Sequence, residues 1–102
     1  MELTPQQVLK RLVEAQIVDV RETPELADGM IAGARHIPLR TIPENTAALD
    51  PERPVILVCR SGHRSATAAD YLAAAGFDAH TMSGGMLEWT SLRLPTVLPQ
   101  TP

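Results

Sequence analysis

The one cysteine of this chain, Cys59, stands between an apolar run, Pro54-Val55-Ile56-Leu57-Val58, and a polar stretch, Arg60-Ser61-Gly62-His63-Arg64-Ser65. A thiol in that position is a candidate nucleophile. The β-branched run predicts a buried strand and the alanine-rich segment Ser65 to Ala75 predicts a helix, so the sulfur falls on a strand-to-helix turn. N–H groups of such a loop and of the first helical turn lack intrahelical acceptors, and they can converge on an anion with the helix dipole behind them. Arg60 and Arg64 add positive charge. All of these favour thiolate over thiol, in the electropositive, partly exposed setting that reactive cysteines need. A merely structural cysteine requires neither two arginines nor Gly62, whereas a loop wrapped around a sulfur and its bound anion needs a residue that accepts unusual dihedrals.

The rest of the composition narrows the class. A chain of 102 residues is long enough for one domain with a real core and too short for two. With one Phe, one Tyr and one Trp, that core must be built from Ala, Leu, Val and Ile. Nine basic against twelve acidic residues give a net charge of −3, and no basic run occurs, which argues against nucleic acid or an anionic membrane as partner. Positive charge near Cys59 therefore belongs to the site, not to the whole surface. A lone cysteine makes no internal disulfide, no apolar stretch is long enough to span a bilayer, and Met1-Glu2-Leu3-Thr4-Pro5 has no secretory-signal character. The expected setting is a reducing cytoplasm.

Elements that position the loop follow from caps and periodicity. Thr4, Pro5 and Gln7 predict a capped helix start, with Val8, Leu9, Leu12 and Val13 on one face and an end near Ala15. Ile17-Val18-Asp19-Val20 predicts a short buried strand. Thr23-Pro24-Glu25 repeats the cap-and-proline signal for a short helix ending near Gly29, and Ala34 to Ile37 predicts a brief strand stopped by Pro38. Arg40 to Asp50 is weakly helical because of Pro43. Gly76 ends the helix after the loop, Phe77 to Met82 alternates as an outer strand, and Ser83-Gly84-Gly85 turns into a last helix, Met86 to Trp89. Three prolines in Leu94 to Pro102 predict an irregular tail that docks at its start and frays at its end. Strands alternating with helices imply an α/β fold: a parallel sheet covered on both faces, with ligands bound beyond the carboxyl ends of the strands, where Cys59 lies.

The chain resembles a single-domain rhodanese, the thiosulfate sulfurtransferase module. The resemblance rests chiefly on Cys59-Arg60-Ser61-Gly62-His63-Arg64-Ser65, supported by Val18-Asp19-Val20-Arg21-Glu22, Gly33-Ala34-Arg35-His36-Ile37-Pro38-Leu39 and Gly84-Gly85-Met86-Leu87-Glu88-Trp89. It departs at Gly29-Met30-Ile31-Ala32-Gly33-Ala34, where the family often has a His and a Pro. The resemblance implies a three-layer fold, a central parallel sheet of about five strands with helices on both faces, and no bound cofactor. It also implies a Cys59 that takes sulfane sulfur from an anionic donor, holds it as a persulfide, and passes it to cyanide, a thiol or a protein acceptor.

For that chemistry the N–H groups from Arg60 to Ser65 form the cradle, and Arg64, at the helix start, is the better candidate than Arg60 for gripping sulfonate oxygens. His63 is expected to line the entrance, since side chains splay outward from a loop whose amides converge. Asp19 and Arg21, which close the first strand on the same side of the sheet as the cysteine, are expected to form an ion pair bracing the loop. Trp89 is expected to pack in the core or under the loop, with no catalytic part, and His36, His63, His80 and Cys59 have no metal-ligand spacing. Three rivals stand beside the sulfurtransferase: a cysteine-dependent phosphatase, an arsenate reductase of related fold, and a non-catalytic binding module. Phosphatases of this type place more residues between Cys and Arg than the four found here. The module reading would be expected to lose the cysteine or the loop charge.

Overall fold

The computed structural model of the chain describes residues 1–99. Five short strands, β1 (Glu2–Leu3), β2 (Gln16–Asp19), β3 (Arg35–His36), β4 (Val55–Val58) and β5 (Ala79–Met82), form one parallel sheet in the order β1-β5-β4-β2-β3. Helices α1 (Pro5–Leu9), α2 (His63–Ala74) and α3 (Gly85–Ser91) and two 3₁₀ segments, Thr23–Asp28 and Leu39–Ala48, complete the fold. The period of two in β4 sends its side chains to two separate cores. Val55, Leu57 and Cys59 join Val18, Val20, Ala68 and Leu72 under α2 and the second 3₁₀ segment. Ile56 and Val58 join Ile17, Val8, Met86 and Trp89 under α1 and α3. The result is the expected three-layer α/β architecture, with β4 buried throughout.

Several boundaries differ from the sequence reading, each for a physical reason. The capping box on Thr4 forms, with Gln7 N donating to Thr4 Oγ1 at 3.1 Å and Thr4 N donating to Gln7 Oε1 at 2.8 Å. The helix nevertheless stops at Leu9 instead of Ala15, and Val13 is 97% exposed. Residues 10–15 continue only as separate hydrogen-bonded turns, and Gln16 then draws the chain into β2: its backbone amide donates to Pro54 O at 2.8 Å and its side chain bonds the backbone of Asp50 in both directions. The strand expected at the edge, β5, lies inside the sheet because β1, unread in the sequence at two residues long, pairs with it. Glu22, not Thr23, caps the first 3₁₀ segment, with Glu25 Oε1 accepting from Glu22 N at 2.9 Å. The tail docks as expected: Trp89 Nε1 donates to Pro95 O at 2.9 Å, and Met30 and Val97 exchange two backbone bonds of 2.8 Å. The expectation that its end frays falls on residues 100–102, outside those described.

Asp19 and Arg21 form the expected ion pair, at 2.8 Å and almost wholly buried. Their face is a correction. Asp19 pairs in register with Val58 and shares its side of the sheet, whereas Cys59 belongs to the opposite core with Val18 and Val20. Arg21 contacts the 3₁₀ segment: its guanidinium donates to Glu25 O at 3.2 Å and to Gly29 O at 2.8 Å, pinning that segment at both points. Removing the carboxylate leaves that buried cation uncompensated, so Asp19→Ala is expected to lose about 3–5 kcal/mol of stability. The measurement is a urea melt whose midpoint falls at unchanged slope.

Candidate active site

Gly62 makes the loop possible. It occupies the N-cap of α2 with φ at +107°, a conformation open to glycine and strained for other residues, and it reverses the chain so that later amides face back toward β4. Gly62 N donates to Cys59 Sγ at 3.0 Å and Ser65 N at 3.3 Å, while the thiol lies 3.4 Å from Ser65 Oγ. Burial pushes the Cys59 pKa up. The Ser65 hydroxyl and the amides of Ser65, Gly62 and Ser61 outweigh that effect, and the thiol ends below its ordinary value. The expected partial exposure of the cysteine does not hold. Cys59 is 1% exposed, because the short loop closes its amide ring directly over the sulfur and the side chain otherwise packs into the α2 core.

A peptide's N–H and C=O point in opposite directions, so the Ser61 amide faces the sulfur only if the Arg60 carbonyl of the same peptide faces away, and here that carbonyl and its neighbour Cys59 O are both held. Met86 N donates to Cys59 O at 2.8 Å and Leu87 N to Arg60 O at 3.0 Å, so the orphan donors of the first turn of α3 cap the loop's acceptors. Gly85 allows that approach. With φ at +58° it already disfavours a side chain, and a Cβ there would collide with both carbonyls. Ser83-Gly84-Gly85 reads as a tight turn in the sequence; its service to the cysteine loop, more than twenty residues upstream, does not.

The charges divide differently from the sequence reading. Arg64 donates from both terminal nitrogens to Glu25, at 2.6 and 2.7 Å, in a two-pronged pair linking the first turn of α2 to the 3₁₀ segment that Arg21 holds. Its fork is thereby committed to a carboxylate. Arg60 is exposed and, among the described residues, has no salt-bridge partner; His63 is exposed as well, 3.3 Å from Ser61 Oγ through Nδ1, and does not contact the sulfur. Ser61, His63 and Arg60 thus form the outer rim, as expected for His63. Glu25 is not legible as a site residue in the sequence, because thirty-nine positions separate it from Arg64; its place after Pro24 marks it only as a helix signal. Thr81 was also unread, although a polar residue at an inward position of an alternating strand was a usable clue. Its Oγ1 lies 2.6 Å from Ser65 Oγ and is buried.

Among the described residues no group of three or more His, Cys, Asp or Glu converges, and no helix is long and apolar enough to cross a membrane. A cavity of about 700 Å³ lined by Leu26, Met30, Ile31, His36 and Val97 lies beside the 3₁₀ segment and the docked tail, and none of its walls belongs to the cysteine loop.

Residues 4–92 match the family model described as the rhodanese-like domain, and the chain belongs to that family. It is 38% identical over 93 residues to a protein of Pseudomonas aeruginosa named thiosulfate sulfurtransferase GlpE, covering 88% of this chain and 84% of that one. A protein of Allochromatium vinosum named sulfurtransferase is 33% identical, over 97% of this chain and 96% of its own. The crystal structure of a rhodanese-related protein from Thermoplasma volcanium superposes with a TM-score of 0.91 at 28% identity, covering 96% of this chain and 98% of that one.

The Arg64 guanidinium holds the Glu25 carboxyl at about 2, against an ordinary value of 4.5, with burial opposing and the Glu22 amide assisting. A carboxyl lowered in the folded state stabilises fully above its unfolded value and loses that contribution as pH falls through the folded one. The stability gap between wild type and Glu25→Gln is therefore expected to be flat near neutrality at about 1–2 kcal/mol, reduced for the partial exposure of both partners, and to close between pH 4.5 and about 2. Urea melts of both proteins across that range measure it.

Proposed function

We propose that this protein is a sulfurtransferase that moves sulfane sulfur from thiosulfate, or from another persulfide donor, to a thiophilic acceptor through a persulfide on Cys59. The observation that carries the reading is the pair of amide hydrogen bonds from Gly62 and Ser65 to the Cys59 sulfur. They stabilise negative charge on sulfur, which is present at every stage. The thiolate attacks the outer sulfur of thiosulfate; that sulfur–sulfur bond breaks, and its electron pair leaves with sulfite. The product is a Cys59 persulfide anion, held by the same donors. Cyanide or an acceptor thiolate then attacks the outer sulfur of the persulfide, carries it away, and restores the Cys59 thiolate. No bound cofactor is required.

Burial of Cys59 selects a donor whose reacting atom projects from a small end, and the single outer sulfur of thiosulfate is such an atom. Arg60, exposed and without a carboxylate partner, is the loop cation available to draw a dianion to the rim. Arg64 serves by holding the first turn of α2 in place through Glu25. In phosphoryl chemistry the corresponding arginine would face the three peripheral oxygens of a phosphate, and a fork already closed on Glu25 speaks against it. The names of the relatives agree with sulfur transfer. A reducing cytoplasm is the compartment in which such a thiolate persists, with small sulfur anions, thiols and a protein acceptor as the partners the site fits.

Incubation with thiosulfate followed by intact-mass measurement is expected to show a gain of about one sulfur atom, reversed by cyanide and absent in Cys59→Ser. An unmodified protein that releases phosphate from an aryl phosphate or reduces arsenate would replace this reading with a rival enzyme. Equal capture of a partner by wild type and Cys59→Ser, with no adduct, would replace it with a binding module. In steady-state assays Arg60→Gln is expected to raise KM for thiosulfate about two- to fivefold with kcat little changed, the worth of one exposed charge. An unchanged KM would remove Arg60 from donor binding.

A further inference from the structure

Behind the reactive sulfur, two hydroxyls are stacked away from solvent. Ser65 is fully buried in the first turn of α2, and Thr81, 6% exposed, projects toward it from β5. Ser65 Oγ has three neighbours: Cys59 Sγ at 3.4 Å, Gly62 O at 3.2 Å and Thr81 Oγ1 at 2.6 Å. It has one proton to give. Thr81 Oγ1 has no side-chain or backbone hydrogen-bond partner other than Ser65 among the described residues. If Ser65 donated to Thr81, the Thr81 proton would be a buried donor without an acceptor, which is the costly arrangement. Thr81 therefore donates and Ser65 accepts.

That direction leaves the Ser65 proton free to choose between two acceptors. When Cys59 is a thiol, its S–H donates to Ser65 Oγ and Ser65 donates to Gly62 O. When Cys59 is a thiolate, Ser65 turns its proton onto the sulfur while Thr81 continues to satisfy the Ser65 oxygen. Both protonation states are then fully hydrogen-bonded without any movement of the backbone.

We infer that Thr81 is a positioning residue for the sulfur chemistry: its hydroxyl fixes Ser65 as a rotating donor that favours the charged form of Cys59. The inference rests on Cys59 being the reactive thiolate. The other ionic groups around the sulfur are Arg64 with its partner Glu25, the rim residues Arg60 and His63, and the Asp19–Arg21 pair on the opposite face of the sheet. None of them hydrogen-bonds the Ser65 or Thr81 hydroxyl among the described residues.

The test is the rate of Cys59 alkylation by iodoacetamide as a function of pH, read by intact mass. Thr81→Val keeps the branched shape and deletes the hydroxyl; its profile is expected to move to higher pH, with the rate at neutral pH about three- to tenfold lower, one neutral hydrogen bond's worth. Thr81→Ser, which restores the hydroxyl, is expected to return the profile toward wild type. In a Ser65→Ala background Thr81→Val is expected to change nothing further, because Thr81 acts through Ser65. Additive shifts in the double variant, or a Thr81→Val profile identical to wild type, would overturn the inference. So would equal shifts in Thr81→Val and Thr81→Ser, which would mark a packing effect. A wild-type thiol that titrates at its ordinary value would instead overturn the thiolate reading beneath it.

Discussion

Two peptide groups decide what this site is. The carbonyls of Cys59 and Arg60 point into the first turn of α3, where the amides of Met86 and Leu87 receive them. Turned the other way, they would set partial negative charge near the sulfur and oppose its ionisation. Held outward, they leave the Ser61 amide on the sulfur's side, beside the Gly62 and Ser65 amides that donate to Cys59. A helix N-terminus commonly binds an anion itself; that of α3 binds carbonyls, so that a second helix, α2, can bind the anion. Gly85 permits the approach, and Gly62 turns the loop back on itself.

Around this cradle the full charges act at one remove. The sulfur is addressed by dipoles: amides from the loop, and hydroxyls from Ser65 and, through it, Thr81. Dipoles lower the pKa while leaving the sulfur free of a bound cation, which suits the attack, carriage and release of the proposed transfer. The arginines hold structure instead. Arg21, paired with Asp19, fixes the 3₁₀ segment on one face of the sheet, and Glu25 of that segment fixes Arg64 and the start of α2 on the other. Two ion pairs in series thus tie β2 to the loop. Arg60 is left at the rim.

Much of this was legible in the sequence because it is local. The β4 run, the helix after it, the glycine between and the cysteine at the junction all lie within about twenty positions, and strand period and helix propensity place them. The parallel sheet followed from the alternation of strands and helices, and the Asp19–Arg21 pair from period two. What went unread depends on contacts between distant segments. The apolar periodicity of α1 continues past Leu9, whereas Gln16 is drawn into the sheet by Asp50 and Pro54. The face of Asp19 relative to Cys59 depends on the β2–β4 register, which alternation along either strand alone does not specify. Arg64 looked free for substrate because nothing along the chain announces Glu25, and Cys59 looked partly exposed because propensities do not report how tightly a loop closes.

The central claim is that Gly62 and Ser65 donate to an ionised sulfur at Cys59. Amide proton resonances of a nitrogen-15-labelled sample, followed through a pH titration, address it directly. The account requires the Gly62 and Ser65 amide protons to shift together with Cys59 ionisation, at a midpoint below the ordinary thiol value, and that titration to vanish in Cys59→Ser. Gly62 and Ser65 amides that stay still while the thiol titrates would contradict it.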